Sequence, residues 1–139
     1  MTLREYLLTN PPPDAAFAQS LAGVAERARL GQGFFLAVRE LLDEVALLPR
    51  ADLLDRAIAA EPRPTGDGRH DAYLGGLGEH LAFCHGVERP AWTCAPERFL
   101  DRFWFVSVVK GFRPLAVAES PAAFRRRGIM IAAGSLQRY

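Results

Sequence analysis

Apolar residues recur every three or four positions along much of the chain, which is the spacing of one buried face of a helix. The segment Asp14–Gly31 shows this pattern, and so does "FFLAVRELLDEVALL" at residues 34–48. A third segment, "AYLGGLGEHLAFCHG" at residues 72–86, ends in a glycine that suits a helix C-cap. The pattern therefore predicts an amphipathic helix over each of these three segments.

Two further helical signals lie nearer the C-terminus. In "APERFLDRFWF", residues 95–105, aromatic and leucine residues are spaced four apart. In "SPAAFRRRG", residues 120–128, a serine N-cap and a proline precede the helix, and a glycine follows it. The predicted fold class is mainly α: a compact multi-helix single domain over residues 1–139, with at most a short β element near residues 129–131.

Prolines and glycines are concentrated in "EPRPTGDGRHD", residues 61–71, which predicts a linker. It separates an acidic N-terminal subregion, residues 1–60, from an aromatic and basic C-terminal subregion, residues 72–139. Residues 1–88 hold 8 Lys/Arg and 13 Asp/Glu, a net charge of −5, whereas residues 89–139 hold 9 and 3, a net charge of +6. These opposite charges can face two different partners, or each other.

The composition also bears on the compartment. No apolar run approaches the roughly 20 residues that a membrane-spanning helix needs. The first residues, "MTLREYLLTNPPP", carry Arg4 and Glu5 early and have too short an apolar segment for a secretory signal. We therefore expect a cytoplasmic protein without membrane association, whose 2 cysteines are reduced thiols.

Candidate metal ligands occur as His80, Cys84 and Cys94, and the first two lie four residues apart on one helical face. Structural zinc sites have four ligands and usually contain closely spaced pairs such as C-x-x-C, which this set lacks. Cys84 also has no accompanying triad or oxyanion signature that would make it a nucleophile. The sequence therefore favours a non-enzymatic protein with no metal and no cofactor.

The aromatic stretch at residues 99–105 has two interpretations. Its rings fit a buried helical stripe, with Arg98 and Arg102 pointing outward and the cysteines as small buried groups. Aromatic rings interleaved with arginines are also typical of surfaces that stack single-stranded bases. We favour the core interpretation, because aromatic stripes at helical spacing are mostly buried.

The run Arg125, Arg126 and Arg127 is the strongest candidate for a binding site. Three adjacent residues spread over roughly 200° of a helix, so they do not all face one internal partner. Compensation of the helix dipole accounts for part of this charge. We predict that these residues, together with Arg113, bind a partner or an anion.

The segments "PAW", "PERFLD" and "SPAAFRRRG", within residues 62–138, resemble a family of uncharacterised bacterial proteins. Some members carry a DNA-binding helix-turn-helix, and their genes often lie beside a predicted nucleotidyltransferase, as in toxin–antitoxin pairs. The resemblance implies a protein-binding regulator, an antitoxin-like partner of a nucleotide-handling toxin encoded by the neighbouring gene. It implies no catalytic residues, and the chain shows no separate helix-turn-helix.

Two alternatives to a protein-binding regulator remain open. The first is a nucleic-acid-binding module that uses Lys110, Arg113 and the C-terminal arginine cluster. The second is a metal-dependent enzyme built around His80 and Cys84.

Overall fold

The computed structural model describes residue 2 and residues 20–47, 56–107, 111 and 113–136. The fold is mainly α, as the sequence predicts. The helices of the described residues are α1 (Leu21–Arg29), α2 (Phe34–Leu47), α3 (Gly68–Cys84), α4 (Arg113–Glu119) and α5 (Ala122–Arg125), and residues 56–58 are also helical. Short 3-10 helices span Ala91–Cys94, Pro96–Arg98 and Ala133–Leu136, and two short strands are β1 (Trp104–Phe105) and β2 (Ile129–Met130).

Helices α1 and α2 are amphipathic and pack against each other, with their apolar faces in the core. Helix α1 begins at Leu21 because Ser20 is extended and its side chain accepts a hydrogen bond from the Gly23 amide at 2.9 Å. The predicted start at Asp14 lies outside the described residues. Gly31 follows α1 with a φ of +89°, a conformation that glycine adopts without a steric penalty.

Helix α3 is the central helix of the described fold, and most of its residues are buried. It begins at Gly68, inside the predicted linker, because the Asp67 side chain accepts a hydrogen bond from the Arg69 amide. Its glycines allow other segments to pack closely against it: a Cβ on Gly75 would lie 2.9 Å from the Arg98 Cβ, and one on Gly76 would lie 3.0 Å from the Phe124 ring.

The helix predicted over residues 95–105 is wrong. Phe99 is extended, and the backbone from Leu100 onward pairs with the segment that follows α5: Leu100 N donates to Arg127 O at 3.0 Å, and Trp104 N donates to Gly128 O at 2.8 Å. This long-range pairing places β1 parallel to β2. Long-range backbone hydrogen bonds therefore override the helix that the local spacing of apolar residues predicts.

Side chains in this segment also differ from the prediction. Leu100 and Trp104 pack against the core, as does Trp92, but Phe103 is 74% exposed. Arg98, expected to point outward, is buried. Both cysteines, expected to be buried, are exposed and free. The aromatic stretch is thus only partly core.

The helix at "SPAAFRRRG" is confirmed as α5, and the short β element near residues 129–131 is confirmed as β2. The predicted capping role of Ser120 is wrong, since its hydroxyl donates to Ile129 O at 2.9 Å and Pro121 occupies the cap position. Gly128 ends this segment with a φ of +83°. None of the described helices is long and apolar enough to cross a membrane.

Candidate functional site

Arg127 is enclosed within the domain, with a side chain that is 0% exposed. Its guanidinium donates to Ala123 O and Thr93 O, each at 2.7 Å, and to Glu79 Oε2 at 3.1 Å. The Phe99 ring lies under it, with the guanidinium carbon 4.7 Å from the ring centroid. A fully buried guanidinium cannot reach a bound partner, so Arg127 joins α3, α5 and the 3-10 helix at residues 91–94.

Glu79 is the carboxylate shared by three arginines. It forms ion pairs with Arg89 at 2.7 Å, with Arg126 at 2.7 Å and with Arg127 at 3.1 Å. Burial by itself would raise the pKa of Glu79, but the charge of Arg127 and hydrogen bonds from Arg127 and Arg89 outweigh it and hold this pKa below its usual value. The carboxylate is therefore ionised at neutral pH.

The Arg127 pKa shifts downward because burial dominates over the attraction of Glu79. The two pKa values are lowered for different reasons. Loss of hydration lowers the pKa of the enclosed Arg127 guanidinium, whereas the surrounding positive charge lowers the pKa of Glu79. An arginine pKa starts so high that the guanidinium stays protonated in a folded protein. The pair is a true ion pair, surrounded by excess positive charge.

Arg125 faces the other way from Arg127. It is exposed, and its Nη2 donates to Val117 O at 2.6 Å and to Ala118 O at 3.4 Å, near the end of α4. These carbonyls lie in the last turn of a helix, where a cation is favourable. All three members of the arginine run therefore have partners within the chain.

A second buried arginine, Arg98, was missed by the sequence analysis. It donates to Asp71 O at 3.1 Å and to Pro62 O at 2.8 Å, and its guanidinium lies 5.0 Å from the Trp92 ring centroid. The Nε atoms of Arg98 and Arg127 are buried and have no hydrogen-bond partner among the described residues. The helical pattern placed Arg98 on an outer face, so no signal in the sequence indicated this role.

The predicted metal candidates are only partly brought together. Cys84 Sγ lies 3.5 Å from His80 Nε2, as expected for residues four apart on α3. Cys94 instead lies 3.9 Å from Thr93 Oγ1 and 4.0 Å from Arg126 Nη2. In the described part of the chain, no three His, Cys, Asp or Glu residues are grouped so that they could hold a metal ion.

The surroundings of the His80–Cys84 pair do not favour an activated thiol. Partial loss of hydration raises the pKa of the Cys84 thiol, and burial lowers the pKa of His80, with a smaller lowering from His85. Both shifts favour the neutral thiol and the neutral imidazole. A catalytic cysteine requires the opposite charge state, a thiolate stabilised by its surroundings.

An apolar groove of about 460 Å³ lies beside this pair, between the end of α3 and the start of α5. We call it the Phe83 groove. Phe83 is 82% exposed and Val87 is also exposed, which is uncommon for large apolar side chains close together. The lining residues are Glu79, His80, Ala82, Phe83, Val87, Arg89 and residues 121–123.

A second cleft, of about 590 Å³, contains Arg113 and shares no lining residue with the Phe83 groove. We call it the Trp104 cleft; it is lined by Arg69, residues 100–107 and Arg113. The Arg113 guanidinium lies 4.9 Å from the Phe105 ring centroid, and that of Arg69 lies 5.8 Å from the Trp104 ring. The four predicted site arginines are therefore divided: Arg113 faces this cleft, and the arginine run does not line it.

Comparison of the chain with protein-family models, curated proteins and solved structures finds no match.

Proposed function

We propose that this chain is a cytoplasmic, non-enzymatic protein-binding regulator, the antitoxin-like partner of a nucleotide-handling toxin encoded by the neighbouring gene. It acts by occluding the partner or by competing for an anion site on it. The observation that carries the proposal is Phe83, whose side chain is 82% exposed beside the apolar Phe83 groove.

The groove suits one large apolar side chain of a partner. Its walls include Ala82, Val87 and Pro121, and the lowered pKa of His80 keeps that ring uncharged at neutral pH. Covering exposed apolar surface stabilises a complex by about 25 cal/mol per Å² of area removed from water. Aromatic residues that enclose such a pocket are typical energetic centres of protein interfaces.

The charges beside the groove define the rest of the partner segment. One carboxylate, Glu79, faces three arginines, which leaves an excess of two positive charges. Arg89 lines the groove, Arg126 is linked to it through the ion pair with Glu79, and both side chains are partly exposed. The occupant is therefore an amphipathic segment that inserts an apolar side chain and presents a carboxylate to Arg89 and Arg126.

The two alternatives have less support from these contacts. In the nucleic-acid alternative, Arg125, Arg126 and Arg127 would have to release internal partners, and Lys110 lies outside the described residues. In the enzyme alternative, His80 and Cys84 supply only two ligands. The protein-binding proposal leaves Arg125 and Arg127 with their internal partners and needs no further ligands.

The test is co-expression with the neighbouring gene product, followed by calorimetric titration of the two purified proteins. Phe83→Ala should weaken the complex by about 30-fold or more, because interface centres lose about 2 kcal/mol or more on truncation. Phe103→Ala is the matched control, since Phe103 is equally an exposed phenylalanine but lines the other cleft.

Two results would count against the proposal. Failure of the two wild-type proteins to form a complex would remove the assigned partner. A complex that Phe83→Ala and Phe103→Ala weaken equally, or not at all, would place binding elsewhere than the Phe83 groove.

A further inference from the structure

We propose that the Trp104 cleft binds an aromatic base that carries a phosphate, the unit shared by a free nucleotide and a single-stranded nucleic acid. This site uses none of the residues of the Phe83 groove, so it can be tested independently of the protein-binding function.

The first observation is unneutralised charge. The cleft is lined by Arg69, Arg102 and Arg113 and by one acid, Asp101, which gives a net charge of +2. Among the described residues, none of these three arginines forms an ion pair, whereas Arg89, Arg126 and Arg127 all pair with Glu79. Guanidinium groups that lack carboxylate partners and line a concave surface are suited to phosphate.

The second observation is the arrangement of rings between these cations. The guanidinium of Arg69 lies against Trp104, and that of Arg113 lies against Phe105. Phe103 is 74% exposed and its ring contacts no other aromatic ring in the described part of the chain. Bases stack on such rings and on guanidinium planes, while arginines bind the backbone phosphates.

The third observation is size and composition. At about 590 Å³, the cleft lies within the range of small-ligand sites, which is roughly 300 to 1,000 Å³. It combines exposed rings with cations, whereas the Phe83 groove combines an exposed ring with mainly apolar walls. An acidic peptide would use the arginines but would leave the Phe103 ring without a stacking partner.

The binding test uses two probes, AMP and a fluorescein-labelled oligouridylate of about 12 nucleotides, a length that covers a typical single-strand site. Phe103→Ala should weaken binding by about 5- to 160-fold, the change that loss of one base–aromatic stack produces. Phe83→Ala is the matched control and should bind as the wild type does, because Phe83 is also exposed but lies in the other groove.

A second variant tests the phosphate contact. Arg102→Ala should flatten the dependence of log K on log salt by about 0.7 for the single-stranded probe, measured between about 50 and 200 mM salt. Arg56→Ala is its control, since Arg56 is also exposed and forms no ion pair among the described residues. Circular dichroism establishes that each variant is folded.

The same titrations distinguish the two sources of the ligand. Oligouridylate that binds much more tightly than AMP, with a salt slope above one, identifies nucleic acid; equal affinities identify a free nucleotide, and both results support the site. The proposal is overturned if neither probe binds at about 1 mM, if inorganic phosphate binds as tightly as AMP, or if Phe103→Ala binds as tightly as Phe83→Ala.

Discussion

Two groups of arginines in the C-terminal half of the chain have opposite environments. Arg126 and Arg127 lie beside Glu79, and Arg127 is wholly enclosed. Arg102 and Arg113 line the Trp104 cleft, are exposed, and form no ion pair with a described carboxylate. The arginine run looks most like a binding motif in the sequence, yet Arg127 within it is enclosed and joins segments of the fold.

The difference follows from the cost of burying charge. A guanidinium moved away from water loses several kcal/mol of hydration, which only a carboxylate and well-placed carbonyls can offset. Arg127 has such partners in the Glu79 carboxylate and the carbonyls of Thr93 and Ala123, so the loss of these contacts should destabilise the fold. An exposed arginine without partners keeps its hydration, costs little folding free energy and remains available to a ligand. Availability, rather than local density of arginines, marks the candidate binding residues.

The largest expected effect is on the enclosed side. Arg127→Met removes the donors to two carbonyls and one charge partner of Glu79, so the free energy of unfolding should fall by about 3 to 5 kcal/mol. Arg126→Met, at the neighbouring and partly exposed position, should cost about 1 kcal/mol or less. Urea unfolding followed by circular dichroism measures both. Equal losses would show that burial does not separate the two arginines.

A smaller loss is expected from the helix that supports them. A Cβ at Gly75 would lie 2.9 Å from the Arg98 Cβ and 3.3 Å from the Arg127 Nε, so Gly75→Ala forces one of them to shift. Overpacking of this kind costs about 1 to 3 kcal/mol, even though alanine favours helix. Gly68→Ala, in the first turn of the same helix, meets nothing within 4 Å and should be neutral or stabilising. A stabilised Gly75→Ala would contradict the close packing.

The pH dependence of stability gives a third, smaller effect. Because the pKa of Glu79 is lowered in the folded state, its contribution is fully present above its unfolded value near 4.5 and is lost as pH falls through the folded value. The stability difference between wild type and Glu79→Gln should therefore shrink below about pH 4.5. Denaturation midpoints at several pH values test this, with the exposed Glu97→Gln as control. A difference that stays constant down to acid pH would rule out ionic pairing of Glu79.

The smallest effect is expected in the Trp104 cleft. Arg102→Ala should change the free energy of unfolding by no more than about 0.5 kcal/mol, since exposed residues without partners contribute little to stability. The same urea titration used for Arg127→Met provides the measurement. A loss approaching that of Arg127→Met would make Arg102 structural and remove the contrast between the two groups.

Part of the candidate site is readable from local spacing. His80 and Cys84 are neighbours because they lie four apart on a helix, and Arg113 was singled out for its charge. Phe83 was not, because an apolar residue within a predicted helix is ordinarily assigned to the core. Glu79 was also missed, since one acid on a helix gives no indication that three arginines converge on it.

The sequence by itself determined the elements whose signals are local. The apolar spacing of α2 and α3 and the glycines at positions 31, 86 and 128, all with positive φ, depend on residues within a few positions of one another. Their energetic preferences are set by the chain's own geometry and hardly depend on distant contacts.

Only the tertiary structure decided the conformation of residues 95–105 and the environments of the arginines. The spacing there favours a helix, but the backbone of Leu100 and Trp104 pairs with Arg127 and Gly128, more than 20 residues away. Likewise, Arg127 is buried because α3 brings Glu79 to it across the domain, not because of its two neighbouring arginines. Long-range hydrogen bonds and ion pairs gain their free energy only when distant segments meet, so no local pattern encodes them.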